Sequence, residues 1–433
     1  MTEQRNPQSR PSKKVLVVTA AFPPMKAGEA DHAYHLCCYL AKRGIDVHVL
    51  TTKSNTWAVN VPFKVYPIIS NWSWLDLPRV ARFVKNCSPD AILLYYIGWV
   101  YNDHPMITFI PTICRRLLPG CRFVTMFAYP MGSRSERFSI TTKAIRKAMQ
   151  WWSVPEGVDY AYGTLLRDSE ALVVMSDRHR QMLSERNPAV EKKSVLIPPP
   201  PLLTMTSAKD EATREQTRAR LGLTSSHFVL VYFGLIYPPK GVETLLKAFH
   251  LVSQDRSWLR LVLVGGVVAH EYQDRPRFAE EMRELSKQLG LDEKVIWTGE
   301  FATDSDEASR YLYASDACVF SHDIGLYLNN SSFAAAAAHG LPIVATQGSF
   351  VEKQFVDGEN LVFCQPKSPE SMAAAIRRVV DDQELRRGIA KGALKLAAEW
   401  VSWEKATDRT IETFSTAGNN LMLRNAVMAP TDL

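Results

Sequence analysis

The segment DIGLYLNNSSFAAAAAHGLPIVAT, from Asp323 to Thr346, places a polar knot directly before five alanines. Asn330, Ser331 and Ser332 stand where a helix would begin. Ser and Asn are favoured N-caps, and the first turn of a helix leaves N–H groups that attract anions. The knot therefore reads either as the cap of a buried helix or as a cradle for a phosphate. A second loop, FGLIYPPKGVETLLKAF, sets Gly234, Lys240 and Gly241 between an apolar run and a helical pattern. A lysine there supplies a point charge to phosphate oxygens. The helix dipole disfavours a cation at that end, a mismatch that favours a ligand role. A third loop, PPMKAGEADH, again joins an apolar run to a helix but lacks the G-x-G-x-x-G of dinucleotide sites. Trp72, Trp74, Trp99, Tyr101 and His104 lie near strand ends, where they either stack on a sugar or belong to the core. His339 reads as a packing or capping histidine.

The elements that must hold these loops follow from periodicity. KVLVVTAAF, DVHVLTT, KVYPII, DAILLYYI, FVTMFAY, ALVVMS and SVLIPP are β-type runs. Helical patterns lie between most of them; HAYHLCCYLAKRG, with Gly44 as its stop, is the first. After the Pro run at 198–201 and a charged helix, the alternation restarts with HFVLVYFG, LRLVLVGG, VIWTGE, ACVFS, PIVAT and NLVFC. Strands alternating with helices predict doubly wound parallel sheets, so two α/β domains in tandem are expected, with the three loops at carboxyl ends that line a common cleft.

Composition narrows the function classes. The chain has 433 residues, 46% hydrophobic and 22% charged, as expected of a globular protein of about two or three domains. No apolar run reaches the ~20 residues of a membrane span, and AILLYYIGWVY reads as a buried strand. The polar N-terminus has no signal-peptide core. Seven scattered cysteines without a C-x-x-C pair point to a reducing cytoplasm and no metal cluster. Residues 1–200 hold 26 Lys+Arg and 15 Asp+Glu, a net of about +11, which leaves about −5 for the remainder. A basic first half suits an anionic partner such as a lipid surface or a phosphorylated acceptor. No nucleic-acid motif is present, and none is expected to bind. SRSERFSITTKAIRKAMQWW sets Ile140, Ile145, Met149, Trp151 and Trp152 at helical spacing beside basic residues. That stripe either packs into its own domain or rests on an anionic membrane.

Several of these motifs occur together in one order: PPMKAGEADH with Gly28 and His32, LCCYLAKRGIDVHVLTT, FGLIYPPKG, AAAAHGLPIVAT and the terminal WVSWEKATDRTIETF. From about Lys14 to Phe414 the chain resembles the family-4 type of retaining, nucleotide-sugar-dependent glycosyltransferases. The resemblance implies the GT-B fold, two Rossmann-like domains facing a cleft. The implied division is a flexible segment 1–13, an acceptor domain 14–205, a nucleotide-sugar domain 206–398, a helix 399–416 crossing back, and a tail 417–433. The sequence departs from the family in places. The phosphate-loop Arg is Leu235, the two Glu of the usual motif fall on Tyr327 and Ala335, and the His of the acceptor side falls on Phe127. A subgroup in which the two-Glu motif is replaced matches Asp323, Gly325, Asn330, Ser331 and Ser332. The resemblance thus implies Lys240 and Asp323 as catalytic residues. It implies Gly28, Gly234, Lys240, Gly299, Gly325, Asn330, Ser331 and Ser332 around the donor, and His32, Trp99, His104 and Phe127 around the acceptor. Asp323 equally suits a turn bond. No D-x-D pair stands in a convincing place, since DSD at Asp304 follows a different strand, and metal independence is expected. No cofactor is expected beyond the nucleotide-diphosphate sugar as co-substrate. The acceptor is a sugar, a lipid-linked or a small molecule, and the setting is the cytoplasm or the inner membrane face. The runner-up is a non-catalytic GT-B paralogue that binds nucleotide sugar or serves as a scaffold.

Overall fold

A computed structural model describes residues 13–25, 27–54, 61–130, 143–144, 147–148, 157–206, 209–267, 275–301 and 305–415. Lys26, Asp304 and most of the basic stretch Ser133–Trp152 lie outside the described residues. Among the described residues the apolar runs of the sequence form two sheets, each parallel throughout. The first has seven strands in the order β3-β2-β1-β4-β5-β6-β7. These are β1 (Lys14–Val18), β2 (Asp46–Thr52), β3 (Lys64–Ile69), β4 (Ala91–Tyr96), β5 (Arg122–Phe127), β6 (Ala171–Val174) and β7 (Ser194–Leu196). The second has six strands in the order β10-β9-β8-β11-β12-β13. These are β8 (Phe228–Phe233), β9 (Leu259–Val264), β10 (Val295–Gly299), β11 (Ala317–Phe320), β12 (Ile343–Thr346) and β13 (Val362–Cys364).

Central strands covered on both faces carry continuous rather than alternating apolar residues. β4, AILLYY, is buried at every position and pairs with β1 in the register Val15↔Ala91. The strand order reverses between β1 and β4 in one sheet and between β8 and β11 in the other. Ligands of open α/β sheets bind outside the carboxyl ends at such a switch point.

The chain divides into two compact units, Met1–Ile197 with Ala406–Leu433, and Pro198–Lys405. The division falls at Ile197, earlier than the expected residue 205, because the proline segment packs on the second unit. Pro201 O accepts from Trp403 Nε1 at 3.1 Å, and Thr206 N donates to Ser309 Oγ at 2.9 Å. The last helix, Trp403–Thr413, spans the second division, at Lys405 rather than at residue 399. Its later half is tied to the first unit. Asp408 pairs with Arg43 at 3.0 Å, Arg409 donates to Leu196 O at 3.2 Å, and Phe414 is 1% exposed.

In the second unit the helix Val242–Ser253 buries Val242, Leu245, Leu246, Phe249 and Val252. That i, i+3, i+4, i+7 stripe is the core face of an amphipathic helix. It packs against Met372, Ile376 and Val379 of the helix Pro369–Asp381 in one hydrophobic cluster. No described helix is long and apolar enough to cross a membrane.

Candidate functional site

The second unit's switch point is built from two loops and one helix. After β8 the chain passes Gly234 and a short 3-10 turn, Pro238–Lys240, before the helix that starts at Val242. After β11 it passes Ser321, His322 and Asp323 to the helix Ser331–Ala338. The two loops are zipped together. Asp323 N donates to Pro239 O at 3.0 Å, and Ser321 Oγ donates to Lys240 O at 2.8 Å. Gly241 permits this approach. It holds φ at +67°, and a Cβ there would overlap the Ser321 carbonyl oxygen.

Asn330 is the N-cap of the helix Ser331–Ala338, its side-chain oxygen accepting from Phe333 N at 3.0 Å. The cap reading of the polar knot thus applies to Asn330, and the serines are the first two helical residues. Phe333 is 1% exposed between Phe320 and Phe355, a burial worth about 1.5–3 kcal/mol. Ala334 to Ala337 are buried too, so small side chains bring the helix close to the helix Gln383–Trp400. The first turn, at Ser331 and Ser332, is half-buried. A Cβ on Gly234 would lie 3.4 Å from Ser332 Oγ, so the end of β8 and the helix start adjoin.

Lys240 is half-buried, with its ammonium 5.5 Å from the centre of the Tyr237 ring and 3.0 Å from His322 Nε2. Asn330 Nδ2 reaches the same ring nitrogen at 3.1 Å. Asp323 is half-buried. Burial raises its carboxyl above the usual range, Lys367 acts in the opposite sense, and Glu243 adds to the rise. Gly325, at φ +93°, abuts Gly348, where a Cβ would collide with the Gly348 backbone nitrogen. The fold therefore gathers Gly234, Lys240, Asp323, Gly325, Asn330, Ser331 and Ser332 at one switch point. Gly299 stands apart at the end of β10 and reaches Gly234 only through Gly265. His339 is a C-cap, bonded to Ala335 O and Ser309 Oγ, both at 2.7 Å. Among the described residues no group of three His, Cys, Asp or Glu side chains could hold a metal ion.

The first unit places Gly28, expected at the donor, and its expected acceptor residues less uniformly. Gly28 opens the helix Gly28–Lys42, behind the N-cap Ala27, so the helix begins earlier than the apolar pattern indicated. Trp99 and His104 are half-buried in the turns after β4. His104 Nδ1 accepts from Met106 N at 3.1 Å, and its ring lies 6.0 Å from that of Trp74. His32 is 5% exposed against Tyr95, and burial, aided by His35, pushes it down to about 3, so it is neutral. Phe127 corrects the expectation: it is fully buried, packed edge-on to Tyr96 and Tyr162 at 5.5 and 5.4 Å, and offers an acceptor no surface. It ends a strand enclosed by β4 and β6, so its side chain faces core. Trp72 and Tyr101 are core residues as well.

His322 was not singled out by its residue type or spacing. Its position was a signal nonetheless, since it follows β11 directly, at a carboxyl end beside the switch point.

Residues 213–396 match the family described as glycosyl transferases group 1. A D-inositol 3-phosphate glycosyltransferase of Thermomonospora curvata is 28% identical over 221 residues, 50% of this chain and 49% of that protein. The lipopolysaccharide 1,2-N-acetylglucosaminetransferase of Salmonella typhimurium is 26% identical over 251 residues, 58% of this chain and 63% of that one. The chain thus spans about half the length of the first relative and less than two thirds of the second. Among solved structures, HepE of Anabaena, in complex with UDP and glucose, is similar with a TM-score of 0.67 at 17% identity. That likeness covers 93% of this chain and 100% of the other, and it shows the fold, two parallel-sheet α/β domains of the GT-B type.

Proposed function

We propose that this chain, whose residues 213–396 match the family of group 1 glycosyl transferases, moves a sugar from a nucleotide-diphosphate sugar to an acceptor hydroxyl with retention of anomeric configuration. The observation that carries the reading is the ammonium of Lys240 at the β8–β11 switch point, beside the first turn of the helix Ser331–Ala338. A cation and a helix N-terminus together suit a diphosphate. The solved neighbour with UDP bound agrees with that ligand class.

In the proposed reaction the bond from the anomeric carbon to the diphosphate oxygen breaks. The acceptor oxygen bonds to the same face of that carbon, and its proton passes to the departing phosphate. Such a route demands little from a side-chain base and much from groups that hold the leaving charge. It accommodates the absence of both family glutamates: Tyr327 donates to Ile324 O at 2.9 Å, and Ala335 is fully buried with no room for a carboxylate. Lys240 and the helix amides carry the leaving charge in this reading, without a cofactor or a divalent ion, and Asp323 contacts the sugar. Trp99 and His104 lie on the acceptor side, and the acceptor is a sugar, a lipid-linked or a small molecule. His32 belongs to the support behind that side rather than to its surface.

A panel of nucleoside diphosphates assayed by thermal shift tests the reading, followed by transfer or hydrolysis with the matching sugar nucleotides and chelator present. Stabilisation by one diphosphate and product of unchanged anomeric configuration are expected. If no nucleoside diphosphate raises the melting temperature, the assignment fails. Binding without turnover would favour a non-catalytic nucleotide-sugar binder, for which Leu235 in place of a phosphate-loop Arg is the supporting observation.

A further inference from the structure

The contact of Lys240 with His322 has a polarity that only one state of the ring satisfies. An ammonium only donates, so Nε2, 3.0 Å from Lys240 Nζ, must accept and the ring proton must sit on Nδ1. Asn330 approaches the same nitrogen at 3.1 Å. Its amide orientation is set by the helix cap, because Oδ1 accepts from Phe333 N, which turns the NH2 group toward His322. Two donors thus converge on one lone pair. The ring is 9% exposed and stacks 6.0 Å from Phe320. Its Nδ1 is buried with no hydrogen-bond partner among the described residues. The backbone is held as well: His322 O accepts from Thr346 Oγ1 at 2.7 Å and from Gly325 N at 3.2 Å. A buried polar atom left unsatisfied is costly, and its retention calls for an explanation. Burial, with the Lys240 charge second, holds this imidazole well below its ordinary range, in keeping with a neutral acceptor.

We propose that His322 is a positioning residue of the donor site, whose neutral ring fixes the Lys240 ammonium for the leaving diphosphate and ties it through Asn330 to the start of the helix Ser331–Ala338. A lysine side chain is flexible, and a donor fixed in advance stabilises developing charge without reorganising at the moment of reaction. The proposal rests on the donor-site reading given above.

The test uses UDP as the probe and titrates wild type, His322→Phe, His322→Gln, Lys240→Ala and the Lys240→Ala/His322→Phe pair by calorimetry. Removing the acceptor in His322→Phe should weaken UDP by about tenfold, and the amide oxygen of His322→Gln should recover all but about threefold of it. On the Lys240→Ala background His322→Phe should cost less than about twofold more, because the partner it positions is gone. Equal losses for Phe and Gln in folded protein, or additive losses with Lys240→Ala, would overturn the proposal. Nitrogen-15 NMR of the wild-type imidazole decides it independently of variant folding: the proton is expected on Nδ1, and a proton on Nε2 refutes the geometry. Wild-type protein that binds no UDP or other nucleoside diphosphate would instead sink the donor-site reading, while the ring state still judges the Lys240–His322 link.

Discussion

The crevice outside β1 and β4 and the crevice outside β8 and β11 occupy the same place in two sheets of the same winding, yet they are filled differently. In the first unit Tyr101 is fully buried at the switch point. Its hydroxyl donates to Tyr95 O at 2.8 Å, lies 3.5 Å from Val18 O, and accepts from Ala20 N at 3.3 Å. Trp72 stacks edge-on against it at 5.1 Å and donates to Thr52 Oγ1 at 2.8 Å. Aromatic side chains thus knit the carboxyl ends of β1, β2 and β4 together. In the second unit the corresponding ends are joined by backbone bonds between loops, and the side chains there are Lys240, His322, Asp323 and Asn330. One switch point is closed by packing, and the other presents charge and helix amides. The shared topology supplies a place for a ligand, and the residues after each strand decide whether aromatic side chains fill that place or polar ones line it.

The sharpest way to break this contrast is Lys240→Ala. It should leave the melting temperature nearly unchanged and lower transfer by roughly 100-fold, the effect of losing an electrostatic donor of roughly 3 kcal/mol. Full activity in a folded variant would mean that the charged crevice has no role in catalysis. The mirror experiment is Tyr101→Phe in the first unit. Leaving Tyr95 O and Ala20 N unsatisfied should cost about 1–3 kcal/mol in urea unfolding with no change in nucleoside diphosphate affinity. A loss of affinity without a loss of stability would show that the packed crevice also serves the donor.

A finer test concerns the opening of the helix Ser331–Ala338. Ser332→Pro removes one N–H at the second helical position, where Pro78 and Pro111 already sit in other helices of this chain. The fold should persist, and diphosphate binding should weaken about tenfold, or about 1.4 kcal/mol, with the free nucleoside spared. Equal changes for nucleoside and diphosphate would reduce Asn330, Ser331 and Ser332 to a structural cap.

Much of the fold was legible before any coordinates. Every strand named here coincides with an apolar run read in the sequence; the central ones do so because parallel strands buried on both faces cannot alternate polar and apolar residues, while the edge strands β3 and β10 are partly exposed. The loops that end at Lys240 and at Asn330 were legible for a related reason. A cation or a cap between a strand and a helix is conspicuous where the chain must change period. The tertiary structure alone decided which of these loops meet. Lys240 and His322 are separated by 82 positions, and Tyr101 and Ala20 by 81. Each contact exists because β11 pairs with β8, and β4 with β1, across crossovers that local periodicity does not encode. The same reason undid Phe127: the resemblance implied an acceptor contact there, but the strands on either side of β5 enclosed it. Periodicity and residue type act over a few residues and determine elements and their ends. Neighbourhood across a sheet depends on the order in which distant strands pair, and that order placed a neutral histidine between the site's lysine and its helix cap.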